Sequence, residues 1–285
     1  MHILSCGRTL RLASGLLGAL LFAVPVAHAA CELEQGDTAR AVEIVDGDTV
    51  VLDNGRQVRF TGIQAPKLPL GRTNFEAWPL AGDAYAALSA VALGKSVTLR
   101  HGGRRDDRHG RILAHLFTAD ENGREVWLQR EMLRLGLARV YTFRDNRACA
   151  AELLAAEREA RLARRGIWTD PFYAIRDATD VATLERLSGS FELVEGRVIS
   201  AAVVRGRIYL NFGADWRTDF TVTVASRDAR LFLDDRIWGA LLDQDGGPSG
   251  IEDRRVRVRG WLGRYNGPEI TVTHPEQIEL LDDTP

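Results

Sequence analysis

Short runs of alternating apolar and polar residues dominate the stretch from Ala41 to Ile63. Val42 and Ile44 lead into Asp46-Gly47-Asp48, Val50 and Leu52 follow, and Asn54-Gly55 turns the chain into Val58 to Ile63. A period of two broken by Asp-Gly and Asn-Gly predicts strands joined by hairpins. From Glu76 to Leu93 the rhythm lengthens: Tyr85, Leu88 and Val91 recur every three residues among alanines, which predicts a helix ending at Gly94. Strands are expected at 96–100 and 112–117, a helix at 126–135 stopped by Gly136, and a last helix at 148–164, capped by Asn146 and closed by Gly166. Strands come first and helices after, which is an α+β order.

A second patterned stretch begins beyond 179–187 and Ser188-Gly189. Strands are expected at 191–199, 207–212, 219–224, 254–262 and 269–272, with a helix at 229–242. Five strands with a helix between the third and fourth predict a barrel of the OB type. The expected organisation is thus a domain over 36–170, a linker over 171–189 and a second domain over 190–283. Ahead of them, Arg8 and Arg11 precede an apolar run from Leu12 to Val26 and the small-residue triplet Ala27-His28-Ala29. That is the pattern of a secretory signal over 1–29, and it predicts a periplasmic or secreted protein. The apolar run is short of the roughly 20 residues that span a bilayer.

Composition sharpens this picture. The chain has 285 residues, 45% hydrophobic and 27% charged, which disfavours a disordered or disulfide-dense protein. Its net charge of −2 is an average over unlike parts, because the leader holds two arginines and no acid. Residues 31–176 hold 22 basic and 20 acidic side chains, and 177–285 hold 13 and 19. Any phosphate binding must therefore come from a local cluster, with the first domain better placed for it. Outside the leader two cysteines remain, Cys31 and Cys149. In an exported chain they are able to pair; the alternative is two buried thiols. In the second domain Tyr209, Phe212, Trp216, Trp261 and Tyr265 are interleaved with Arg205, Arg207, Arg217, Arg257 and Arg259. This suits base stacking and phosphate steering, and is also what a half-exposed strand looks like. His101, His115 and His274 have no metal-ligand spacing.

The residues that carry chemistry start at Asp46-Gly47-Asp48, where two carboxylates on a tight turn can aim oxygens at one hard cation. Arg59 follows in Val58-Arg59-Phe60, ahead of Gly62-Ile63-Gln64-Ala65-Pro66, and Arg111 closes Asp107-Arg108-His109-Gly110-Arg111. Two guanidinium groups beside an acidic pair would clamp a phosphodiester. These motifs, with the closing Gly166-Ile167-Trp168, resemble the staphylococcal nuclease (thermonuclease-like) family from about Ala41 to Trp168. The resemblance implies an OB-type barrel flanked by helices, hydrolysis of DNA and RNA, and Ca²⁺. It places Asp48 and Asp46 at the ion, Arg59 and Arg111 as catalytic arginines, and Arg108 and His109 at phosphate.

Two positions depart from that pattern. Gln64 stands where a second Ca²⁺ carboxylate is expected, keeping an oxygen ligand but losing a charge. Lys67 stands where the family has the glutamate proposed as general base, and an ammonium has no lone pair with which to take a proton. Glu76 and Asp83 are the nearest acids downstream, with Glu76 expected in the first turn of a helix. The sequence leaves two readings. One is a Ca²⁺-dependent nuclease of altered or weak activity, with Asp46, Asp48 and Gln64 holding the ion. The other is a non-catalytic protein that binds single-stranded nucleic acid or another polyanion through Arg59, Lys67, Arg108 and Arg111.

Overall fold

The computed structural model describes residue 2, residues 31–243 and residues 247–281, so the expected leader lies outside the described residues. The first half is built from β1 (Glu34–Asp46), β2 (Thr49–Leu52), β3 (Gln57–Phe60), β4 (Gly62–Gln64), α1 (Ala81–Ala92), β5 (Ser96–His101), β6 (Ile112–Ala119), β7 (Glu125–Trp127), α2 (Leu128–Arg134), β8 (Arg139–Tyr141) and α3 (Ala150–Leu162). Neighbouring strands run β3-β2-β1-β5-β6, and a parallel pairing of β3 with β6 closes the ring into a five-stranded barrel. The alternation seen in the sequence explains the closure: Ile44, Val50, Leu52, Val58, Phe60, Val97 and Leu99 all turn into one core with Leu88, Met132 and Leu153. The helix expected from Glu76 starts only at Ala81, just after Pro79, because a residue preceding proline is pushed out of the helical region.

The second half follows with β9 (Arg176–Asp177), α4 (Val181–Arg186), β10 (Phe191–Arg197), β11 (Ser200–Val204), β12 (Arg207–Asn211), β13 (Thr221–Val224), α5 (Ser226–Leu233), α6 (Arg236–Leu242), β14 (Arg255–Tyr265), β15 (Gly267–Val272) and β16 (Ile278–Leu281). Its sheet order is β11-β12-β13-β15-β14-β10-β9, with β16 on β14. Only Val198 and Ile199 separate β10 from β11, so one bent segment serves both ends of the ring. The third and fifth strands pair in parallel here too, β13 with β15. Both halves thus share one order: a long first strand, a hairpin, a helix, then two more strands. The single helix expected over 229–242 is two, because the Asp235 side chain accepts from the N–H groups of Ile237 and Trp238 and starts a new helix.

Residues from Cys31 onward form one compact unit, although the two halves keep separate apolar cores. What joins the halves is largely polar. Arg259, on β14, is fully buried, and donates to Glu157 Oε1 and Oε2 on α3 at 2.9 and 3.0 Å and to Glu279 on β16. Its Nη1 also donates to the carbonyl of Val140 at 3.2 Å, while Glu157 Oε2 accepts the Val140 N–H at 2.6 Å. Arg257 is buried as well, against Glu195 at 2.6 Å and Glu279. Both arginines were candidates for a phosphate-steering surface; the structure corrects this, since acids of neighbouring elements consume their charge. Arg144 with Asp228 (2.9 Å), Arg147 with Glu276 (2.8 Å) and Thr142 with His274 Nε2 (2.8 Å) complete the joint. Cys31 and Cys149 are bonded across 118 residues of chain with their Cα atoms 4.9 Å apart. Closing a loop of that length removes unfolded-state entropy worth roughly 4–5 kcal/mol in the chain-entropy account.

Replacing Arg259 by leucine leaves Glu157 with Arg161 as its one cationic partner, at 3.1 Å, and removes the central charge between Glu157 and Glu279; it is expected to cost about 3 kcal/mol in urea unfolding. The double variant Arg259→Leu/Glu157→Leu should recover much of it; equal losses in single and double variants would contradict the buried pairing. Acid should also weaken the fold. Burial pushes the His115 and His274 imidazoles down to about 4. Unfolded chains take up these protons near pH 6.5, so stability present above that value is lost as pH falls toward 4, by up to about 3 kcal/mol per histidine. His274→Gln should roughly halve the fall in melting temperature across that window, His115 supplying the rest.

Candidate functional site

Asp46 ends β1 and Asp48 directly precedes β2, joined by Gly47. A Cβ on Gly47 would lie 2.7 Å from the Cβ atoms of Ala65 and Ala84, so only glycine lets this turn sit flush against the segment after β4. That contact brings the Ala65 N–H to Asp48 Oδ2 at 2.6 Å, and Thr49 Oγ1 donates to Asp48 Oδ1 at 3.2 Å. β3 lies across from β2 with Arg59 opposite Thr49. Arg59 Nη1 sits 3.2 Å from Asp48 Oδ1, and its other contacts are the carbonyls of Phe60 and Ile63, each at 2.8 Å, and that of Asp48 at 3.4 Å.

Lys67 fills the centre. Its Nζ donates to both oxygens of Asp48 at 2.7 and 2.8 Å and to Asp46 Oδ2 at 3.1 Å. Asp48 is wholly buried, and the Lys67 side chain is 18% exposed. The loop before α1 fixes the lysine. Trp78 donates its N–H to the Lys67 carbonyl at 2.9 Å, and Arg72 donates to the Leu68 carbonyl while stacking 3.6 Å from the Phe75 ring. Burial alone would raise the Asp48 carboxyl, but the Arg59 guanidinium and Lys67 ammonium overcome it and hold the group well below the usual carboxylate range. Asp46 moves up instead, pushed by burial and by the charge of Asp48. Two anions and two cations therefore neutralise one another inside the protein.

Other expected residues lie apart from this quartet. Gln64 is buried, but its Oε1 accepts from Arg139 Nε and Nη2 at 3.1 and 2.9 Å rather than turning toward the aspartates. Arg111 donates Nε to Asp107 Oδ2 at 2.7 Å and its side chain is 32% exposed. Asp107 also accepts the N–H groups of His109 and Arg111, which shapes the loop. Arg108 and His109 are exposed on it, Arg108 Nε donating to His109 Nε2 at 3.1 Å. Glu76 is exposed on the loop ahead of α1, not in a helix, and has no polar partner among the described residues; Asp83 is exposed in the first turn of α1. Arg139 was missed by sequence reasoning. It stands in an Ala-Arg-Val run with no motif, yet only 5% of it is exposed, and its guanidinium lies 4.7 Å from the Phe191 ring.

A family model described as staphylococcal nuclease homologue matches residues 57–170, the stretch that carries Arg59, Lys67 and Arg111. Residues 57–170 form a staphylococcal nuclease-like domain. The chain is 26% identical over 141 residues to a thermonuclease of Staphylococcus hyicus, covering 47% of this chain and 76% of that protein. It is 30% identical over 140 residues to an uncharacterized protein of Bacillus anthracis, covering 46% of this chain and 60% of that one.

Staphylococcal nuclease-like enzymes are in general calcium-dependent. Calcium wants six to eight oxygen ligands at about 2.3–2.6 Å. The first barrel offers two carboxylates, Asp46 and Asp48, whose oxygens already receive the Lys67 ammonium, and the amide oxygen of Gln64 is taken by Arg139. Among the described residues no group of three or more His, Cys, Asp or Glu is placed to hold a metal. The donor set does not fit the ion, because a cation is already built into it.

Lys67→Ala should uncover the pair. The variant is expected to lose about 3–5 kcal/mol in chelator, the usual cost of unpairing a buried charge, and to regain part of it on adding calcium. Terbium luminescence should appear in the variant and be absent from the unaltered protein; a terbium signal of equal strength in both would show that the lysine does not fill the ion's place.

Proposed function

We propose that this chain is an exported, thermonuclease-like protein that holds nucleic-acid phosphodiesters without calcium-dependent hydrolysis. The observation that carries this reading is the Lys67 ammonium, seated between Asp46 and Asp48 at 2.7–3.1 Å. Hydrolysis in this fold family needs a cation to polarise the phosphoryl oxygens and a base to activate water. Lys67 displaces the first and, with its Nζ donating to Asp46 and Asp48, offers no acceptor to serve as the second. Glu76 offers no substitute, since it makes no polar contact with the quartet.

The phosphate contacts of the proposal come from the loop before β6. Arg108 has no acidic partner among the described residues, and Arg111 engages Asp107 through Nε alone, so its two terminal nitrogens stay available to phosphate oxygens. His109 adds a third donor beside them. Arg59 plays a different part: its nitrogens are spent on Asp48 and on backbone carbonyls, so it stiffens the site instead of reaching a ligand. Nucleic acid as the partner is supported by the nuclease-like domain, and absence of turnover by the lysine.

A fluorescent single-stranded DNA or RNA oligonucleotide should bind the purified chain equally with calcium and with chelator. The affinity should fall with salt on a logarithmic slope of about −1.4, as expected for two arginine–phosphate contacts on a single strand. Arg108→Ala and Arg111→Ala should each weaken it by roughly ten- to a hundredfold, the 1.5–3 kcal/mol span of a charge-assisted bond. Gels of the same mixtures should show intact oligonucleotide. Calcium-dependent cleavage that Asp48→Ala abolishes would overturn the proposal, and so would a failure to bind in chelator.

A further inference from the structure

The outer face of the second barrel carries a groove of about 540 Å³ that the nuclease-like domain does not account for. Strand alternation builds it. On β12, Ile208 and Leu210 enter the core, so Tyr209 and Asn211 face outward; on β13, Val222 and Val224 are buried and Thr221 faces outward. Register then sets Asn211 beside Thr221, and Thr221 beside Glu269 of β15. Tyr265, at the end of β14, and Trp216, in the loop before β13, rise on the rim with 68% and 50% of their surface exposed. Large rings left this open beside convergent polar groups are the usual signature of a binding surface rather than of a core.

The chemistry of the floor selects the ligand. Of the side chains lining the groove, Glu269 alone is charged, and at the rim the Arg217 guanidinium lies over one face of the Trp216 ring at 4.4 Å, leaving the other face open. Its carboxylate accepts from the hydroxyl of Thr223, and from that of Thr271 at 3.2 Å, which leaves its second oxygen without a protein donor. Asn211 accepts from Thr221 at 3.4 Å and donates one amide hydrogen to Ser200, keeping a second to offer. In the first barrel, the outward residues at the corresponding parallel strands are arginines, Arg59 on β3 and Arg111 beside β6. The same face of the same strand order thus carries arginines paired with acids in one barrel and an acid, an amide and hydroxyls in the other. A phosphate backbone crossing Glu269 would meet like charge. A neutral sugar has flat faces for Trp216, Tyr209 and Tyr265, and hydroxyls that donate to Glu269 and accept from Asn211.

We propose that this groove is a binding site for a neutral oligosaccharide, with Trp216 and Tyr265 stacking on pyranose rings and Glu269 and Asn211 reading their hydroxyls. Barrels of this type take oligosaccharides as well as oligonucleotides on this face. The proposal does not depend on what the first barrel binds.

The test is calorimetry of the whole chain with chitotetraose, cellotetraose and maltotetraose as probes, and with an oligothymidylate as the competing polymer. At least one tetrasaccharide should bind at up to about millimolar concentrations, with an affinity that does not change with salt. Trp216→Ala and Tyr265→Ala should each weaken that binding by about tenfold or more, the loss of one stacked ring. Both residues are exposed, so an unchanged melting temperature shows that the fold is intact. Glu269→Gln should weaken it by severalfold. No binding of any tetrasaccharide overturns the proposal, as does binding that survives Trp216→Ala. Oligothymidylate binding that is salt-sensitive and lost in Trp216→Ala would assign the face to nucleic acid instead.

Discussion

The peptide of Val140 is gripped from both sides in a space that water does not reach. Glu157 accepts its N–H, Arg259 donates to its carbonyl, and the two side chains are paired with each other at 2.9–3.0 Å. Much else hangs on this grip. Val140 lies in β8, which pairs with β4, and β4 carries Gln64 and leads into Ala65, whose N–H meets Asp48. A buried charge from the second barrel therefore sets the backbone on which the first barrel's acidic site is assembled. Buried ion pairs contribute little net stability against an apolar alternative, but they tolerate only one arrangement. Here that arrangement also fixes how α3, β8 and β14 meet.

The acidic site repeats the same physics at smaller scale. Asp48 loses all its hydration and recovers it as five close contacts, from Ala65, Thr49, Arg59 and both approaches of Lys67. A carboxylate so fully served has no oxygen left for an incoming ion. At the centre of this site lies a covalently attached ammonium, with the Arg59 guanidinium on its flank. The adjacent loop stays solvated, and there Arg108, His109 and Arg111 keep donors free.

Much of this was legible in the chain because it is written locally. Period-two runs around Asp46-Gly47-Asp48 and Asn54-Gly55 foretold the hairpins, and the identities at 59, 64, 67 and 111 flagged both the clamp and its departures. What stayed hidden depends on direction and distance. Nothing in Gln64 says that its amide will turn to Arg139, 75 residues away. Lys67 read equally well as a free phosphate contact, since residue type does not reveal which anion an ammonium will reach. Arg257 and Arg259 alternate with valines as surface residues do, and only the arrival of Glu157, 102 residues earlier in the chain, makes Arg259 an interior residue. β11 was missed because Val203 and Val204 face solvent and show no inward period.

The tethered ammonium has a consequence for how such a site answers its surroundings. A dissociable ion fills its place according to its concentration outside, whereas a group on a short tether is present at an effective concentration of the order of millimolar or more, fixed by the fold. The charge at Asp46 and Asp48 is thus inherited with the sequence and is not drawn from the medium. Chelators, mineral starvation and competition from other metals have nothing there to remove.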